Sequence, residues 1–168
     1  MKPILIALLI AHPSFLHAQQ KEGLLKHTVY AGYARIGTHY FINYDRVFSQ
    51  GSAFSKSFHA GISVLKNNIA FPLGINFFTG KREHHAELSL TLAPYIERFN
   101  YLFKPGNLSD KKFYVLPAAG YRYQKPGGGF FGKLQAGPVF YFDPASDNNT
   151  KTDTRTYLGI MVGIGQNF

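Results

Sequence analysis

The strongest constraint in this sequence is an alternation of apolar and polar residues with a period of two. Between His85 and Pro94, one set of alternate positions is apolar, namely Ala86, Leu88, Leu90 and Leu92. The positions between them are mostly polar, namely His85, Glu87, Ser89 and Thr91. Successive side chains of a β-strand point to opposite faces, so this segment predicts a strand with one apolar and one polar face.

The same pattern recurs in eight segments of the chain. The predicted strands cover residues 27–36, 39–48, 54–65, 69–78, 84–96, 113–124, 130–142 and 156–168. Only the first strand leaves its facing open, because the set of residues beginning at Val29 is about as apolar as the set beginning at Tyr30. The sequence therefore predicts an all-β chain, an eight-stranded antiparallel up-and-down β-barrel.

Three features favour a transmembrane barrel over a soluble one. The polar face of the strands is rich in glycine and poor in charge, whereas a strand face in water normally avoids glycine. Aromatic residues lie at both ends of the apolar stripes, as in the two interface belts of membrane barrels. The connections alternate between short turns and the long loops 98–112 and 143–155. Strands can cross a bilayer only as a closed barrel, because an open edge would leave backbone groups unpaired in lipid.

The amino end predicts export. Lys2 supplies a positive start, residues 4–10 are an apolar run, and Ala18 is the small residue expected before a signal peptidase cut. We therefore expect a signal peptide over residues 1–18 and a barrel domain over residues 19–168. The apolar run is too short for a membrane helix of about 20 residues. The chain has no cysteine, which excludes disulfides, thiolate metal sites and a lipoprotein anchor.

The charge balance is basic, with 18 lysines and arginines against 9 aspartates and glutamates. These cations are scattered and form no nucleic-acid module, so we expect no nucleic-acid partner. Several lie near the predicted outer loops, where they could pair with the phosphates of lipopolysaccharide. They are Lys66, Lys104, Lys111, Lys112, Lys151 and Arg155.

The last strand carries the most specific motif, an apolar alternation from Leu158 that ends in the terminal aromatic Phe168. With this strand, the chain resembles the small eight-stranded outer-membrane β-barrel proteins of Gram-negative bacteria, over about residues 29–168. The segments 43–46 and 80–87 also resemble uncharacterised members of such families. The resemblance implies a location in the outer membrane and recognition of Phe168 by the barrel-assembly machinery.

The inside of an eight-stranded barrel is filled by side chains, so we expect a polar network there rather than a channel. Its predicted members are Asn43, Asp45, His59, His85, Glu87, Arg122 and Lys133. Glu87 and Arg122 lie on adjacent strands with the same facing, which predicts a buried ion pair.

An enzyme that modifies lipid A is the least favoured alternative. Ser57 and His59 share a face, as a nucleophile and its base would, but that face is the lumen and no acid is placed to orient His59. His84 and His85 point to opposite faces and cannot bind one metal ion. We therefore expect no catalytic activity, metal or cofactor.

Because lipid covers the wall of such a barrel, its interactions take place at the loops. The loop 98–112 is the candidate binding surface, through Phe99, Tyr101, Phe103, Lys104, Lys111 and Lys112. The expected function is that of an envelope scaffold or a surface-binding protein. The alternative is a membrane anchor within a conjugative-transfer or secretion apparatus, with an envelope protein as its partner.

Overall fold

The computed structural model describes residues 24–65, 68–80, 82–96, 111–145 and 151–168, so the predicted signal peptide lies outside the described residues. The strands are β1 His27–Ala34, β2 Tyr40–Gln50, β3 Phe54–Leu65, β4 Asn68–Ala70, β5 Leu73–Thr79, β6 His84–Ile96, β7 Lys111–Gln124, β8 Gly129–Asp143 and β9 Asp153–Asn167. All pairings are antiparallel, and pairing of β1 with β9 closes the sheet into a barrel. In the described ranges no helix is long and apolar enough to span a membrane.

Nine strands fill eight positions because β4 and β5 lie in line. Ser63 of β3 pairs with Ala70, and Ala60 pairs with Leu73, so both short strands keep one register against β3. The break falls at Pro72, which has no N–H to donate to the ladder. Its carbonyl still accepts a bond from the amide of Gly61 at 2.9 Å. The prediction of one continuous strand over residues 69–78 is therefore wrong at this point, although the barrel position is the predicted one.

The two ends of the barrel differ in their connections. The connections 51–53, 80–83 and 125–128 are short and leave from one end, which we name the turn end. The two longest connections, 97–110 and 144–152, leave from the opposite end, named the loop end. The two longest connections lie at one end, as predicted, but the alternation is incomplete, because the connections 35–39 and 66–67 at the loop end are also short.

The predicted facing of the strands is confirmed in the barrel wall. Leu90 and Ile160 point outward and are 42% and 47% exposed, whereas Ser89 points into the lumen and is buried. In β1, Val29 points outward and Tyr30 inward, which decides the strand that the sequence left open. One outward position departs from the pattern: the side chain of Ile69 is buried.

A short segment before β1 covers the lumen at the turn end. Leu24 packs against Val47 and Phe78, and all three are buried. The side chain of Gln50 holds this segment, accepting from the Leu24 amide at 3.1 Å and donating to the Leu24 carbonyl at 2.6 Å. The side-chain Nε2 of Gln124 donates to the backbone carbonyl of Leu25 at 3.0 Å. The turn end of the lumen is therefore packed rather than open.

Candidate functional site: the buried charge network of the lumen

Arg122 is the centre of the lumen network. Its side chain extends from β7 and is fully buried. The guanidinium forms a bidentate pair with Asp45, with Nη2 to Oδ1 at 3.0 Å and Nη1 to Oδ2 at 3.1 Å. Its Nε donates to Gln124 Oε1 at 2.7 Å. Paired, charge-assisted bonds of this kind fix both the position and the orientation of the guanidinium.

Two buried rings enclose the same guanidinium. Its Cζ lies 4.3 Å from the centroid of Phe78 and 5.0 Å from that of Phe131. Ring faces at these distances attract a desolvated cation. Sequence reasoning missed both rings because it searched the lumen positions for polar residues. The alternation of the strands was the signal that could have found them. Phe78 lies two residues from Asn76, and Phe131 two residues from Lys133, so each ring shares the inward facing of its polar neighbour.

Glu87 joins the network chiefly through Lys133, whose Nζ lies 2.6 Å from Glu87 Oε1. Gln135 Nε2 donates to the same oxygen at 3.2 Å. The predicted pair between Glu87 and Arg122 is present, but at 3.7 Å it is longer than the contact of either residue with its nearer partner. Among the described residues, the lumen thus holds two buried carboxylates and, besides its histidines, two buried cations from arginine and lysine, a balance that limits the cost of removing these charges from water.

The neutral polar residues connect the two acidic sites. Ser57 donates to Asp45 Oδ2 at 3.0 Å, and Asn76 Nδ2 donates to the same oxygen at 2.8 Å. Asn76 Oδ1 accepts from Lys133 Nζ at 3.2 Å. The described contacts therefore make one hydrogen-bonded network from Arg122 through Asp45 and Asn76 to Lys133.

Ser57 and His59, which the sequence offered as a nucleophile and its base, have different hydrogen-bond partners. The hydroxyl of Ser57 is bonded to Asp45, while His59 Nε2 lies 3.1 Å from Thr91 Oγ1. Both residues are buried in the lumen. In the described contacts His59 is not the partner of Ser57, so the arrangement does not support activation of Ser57 by His59.

The remaining predicted lumen residues are buried on either side of this network. Towards the turn end, His85 Nδ1 bonds the carbonyl of Thr79, and its ring lies edge-on to Phe78 at 5.2 Å. Towards the loop end, Asn43 Nδ2 donates to the hydroxyl of Tyr30 at 3.1 Å. The structure therefore brings Asp45, Glu87, Arg122 and Lys133 into direct contact and leaves Asn43, His59 and His85 at the borders.

On the loop side of the network, the lumen contains a small cavity of about 40 Å³. Asn43, His59 and Thr91 are among its lining residues. A buried water molecule needs about 10–15 Å³, so the cavity has room for a few. Asn43 Oδ1 and His59 Nδ1 are buried without a hydrogen-bond partner among the described residues, and water in the cavity could serve them.

Most of the candidate loop surface, namely Phe99, Tyr101, Phe103 and Lys104, lies outside the described residues. Lys111 is the first residue of β7. Lys112 follows it, and its Nζ lies 3.7 Å from Asp143 Oδ2 and 5.5 Å from the ring centroid of Tyr141. This cation is therefore held at the loop end of the barrel.

Comparison with known proteins adds no assignment. No family model matches the chain, and no curated protein or solved structure does. Within the described ranges, no three His, Cys, Asp or Glu side chains form a group that could hold a metal ion.

Proposed function

We propose that this chain is a non-enzymatic β-barrel of the outer membrane of a Gram-negative bacterium, exported by a cleavable signal peptide. It acts as an envelope scaffold or a surface-binding protein. The observation that carries the proposal is the inverted distribution of its side chains. The wall exposes large apolar residues such as Leu158, 70% exposed, while Arg122 and Asp45 are buried in the lumen. Soluble monomers rarely expose contiguous apolar patches above a few hundred Å².

The filled lumen supports a scaffold rather than a channel. The charges inside are paired with each other, and the turn end is covered by Leu24. Interactions with other molecules then take place at the loops, and the connection 97–110 is the longest of those between the described strands. Lipopolysaccharide and an envelope protein are the partners proposed for the loops, and Phe168 is the proposed contact with the barrel-assembly machinery.

The proposal is tested by placing a charge on the wall. Leu90→Arg and Ile160→Arg should each destabilise the protein folded in phosphatidylcholine vesicles, lowering its free energy of unfolding by about 2–4 kcal/mol if these positions lie near the bilayer midplane. Ser52→Arg is the control, because Ser52 is exposed in a short turn and a charge there remains in water. Folding free energies are measured by urea titration in the presence of vesicles. Two wall variants as stable as Ser52→Arg would contradict a membrane location.

A further inference from the structure

Two cations interrupt the apolar outer surface. Arg46 of β2 and Lys56 of β3 point outward and are exposed. At the other outward positions of the described barrel wall, away from the strand ends, no side chain is charged. A cation on the lipid face of a barrel is strongly destabilising at the bilayer midplane but costs little near the interface. Their position close to the turn end therefore agrees with an interfacial depth.

The pairing of β2 with β3 places the two cations on neighbouring strands of one outward surface. Arg46 is opposite Phe58, and Lys56 is opposite Ser49, with a bulge between Val47 and Ser49. The bulge places Phe48 beside Lys56, so four outward side chains form a square. The cations occupy one diagonal, and the rings of Phe48 and Phe58, with centroids 6.5 Å apart, occupy the other.

Neighbouring rings extend this surface. Lys56 Nζ lies 5.9 Å from the ring centroid of Phe77 on β5. On the other side, His27 is paired with Arg46 across β1 and β2, and its Nδ1 lies 2.6 Å from the hydroxyl of Tyr44. Each cation is therefore bordered by aromatic side chains.

Among the described residues, no acidic side chain compensates the positive charge of the square. No described carboxylate forms an ion pair with Arg46 or Lys56. The acid next to Arg46 in sequence, Asp45, points into the lumen and is bonded to Arg122. An anion from outside the chain can therefore pair with both cations.

We infer that this square, formed by Arg46, Phe48, Lys56 and Phe58, binds the phosphate of an anionic glycerophospholipid. The guanidinium can bind a phosphate in a bidentate manner while Lys56 adds a point charge, and the acyl chains then lie along the rings. The inference rests on the proposed membrane location. Short turns of outer-membrane barrels face the periplasm, which assigns this end to the leaflet of glycerophospholipids.

The test uses the full-length mature chain folded in neutral detergent micelles. Native mass spectrometry measures binding of phosphatidylglycerol, with phosphatidylcholine as the zwitterionic reference. Each cation near a lipid surface contributes about a fivefold change in affinity, so Arg46→Gln with Lys56→Gln should lower the affinity for phosphatidylglycerol by about 30-fold. Binding of phosphatidylcholine should change little.

The matched control is Arg35→Gln with Lys125→Gln, which removes the same charge from two exposed positions outside the square. This control should retain the preference for phosphatidylglycerol. An equal loss in both double variants would mean that net charge alone attracts the lipid, and would overturn the site. Tight binding of inorganic phosphate by the wild type in lipid-free micelles would instead assign the square to a free anion.

A second measurement needs no substitution. Because the contact is electrostatic and lies at the surface, 1 M salt should abolish the wild-type preference for phosphatidylglycerol. A preference that persists in salt would contradict the inference even if the double variant failed to fold. The membrane location is judged separately: a wild type that inserts into phosphatidylcholine vesicles but shows no preference overturns only the lipid site.

Discussion

The arrangement of the lumen predicts that Arg122 is coupled more strongly to Asp45 than to Glu87, the partner on its neighbouring strand. The two contacts have similar Coulomb energies, because 3.0 Å and 3.7 Å at an effective dielectric constant of about 20 differ by only about 1 kcal/mol. The hydrogen bonds distinguish them. Asp45 accepts two charge-assisted bonds from Arg122, at about 1.5 kcal/mol each, whereas Glu87 and Arg122 are only in ion-pair contact.

The coupling energy between Asp45 and Arg122 should therefore exceed that between Glu87 and Arg122 by about 3–4 kcal/mol. Removing Arg122 alone should cost about 3–5 kcal/mol, because it leaves a buried carboxylate without its partner. Two double-mutant cycles measure the difference, one combining Asp45→Asn with Arg122→Met and the other combining Glu87→Gln with Arg122→Met.

Folding into vesicles is followed by circular dichroism during urea titration, since the chain has no tryptophan. A third cycle, Glu87→Gln with Lys133→Met, is the positive control, because these residues are in contact at 2.6 Å. Equal coupling of Arg122 to both acids, or stronger coupling to Glu87, would refute the assignment of partners.

Two further outcomes follow from the packed lumen. The purified protein should show no steady conductance in planar bilayers, because eight strands leave an interior that side chains fill, and a stable ion-selective channel would contradict the scaffold proposal. Gly74→Ala should destabilise the fold by about 1–3 kcal/mol, because a Cβ there would collide with the backbone carbonyl oxygen of Leu90 and lie 2.5 Å from His59 Cε1. Gly127→Ala is its control, with no heavy atom within 4 Å of the new Cβ, and equal stability of the two variants would contradict the packing of this layer.

Sequence reasoning succeeded where the relevant property is local. The direction of a strand side chain depends only on its place in the alternation, so Asp45, Glu87, Arg122 and Lys133 could be assigned to one face from the sequence. The break at Pro72 is also a local property, since a proline cannot donate to a ladder, but the predicted strand 69–78 ran through it and was wrong there. The glycines and aromatics that favour a transmembrane barrel over a soluble one were equally visible in the composition of each strand.

The first strand marks the limit of local reasoning. Both of its faces are about equally apolar, and its facing follows from its pairing with β2 and β9. That pairing directs Tyr30 into the lumen, where its ring lies tilted against Phe131 with the centroids 5.1 Å apart. The position of Arg46 and Lys56 at diagonally opposite corners of one square likewise depends on the β2–β3 register and its bulge.

The sequence by itself determined the barrel, the facing of seven of its eight predicted strands and the polar identity of its interior, because a period of two residues is an intrinsic property of an extended chain. Only the tertiary structure decided which charges meet. Asp45 and Arg122 are 77 residues apart and lie on strands that are not neighbours in the sheet, so their contact crosses the lumen. Closure of the barrel sets the distance between such positions, and that distance cannot be predicted from the residue pattern of a single strand.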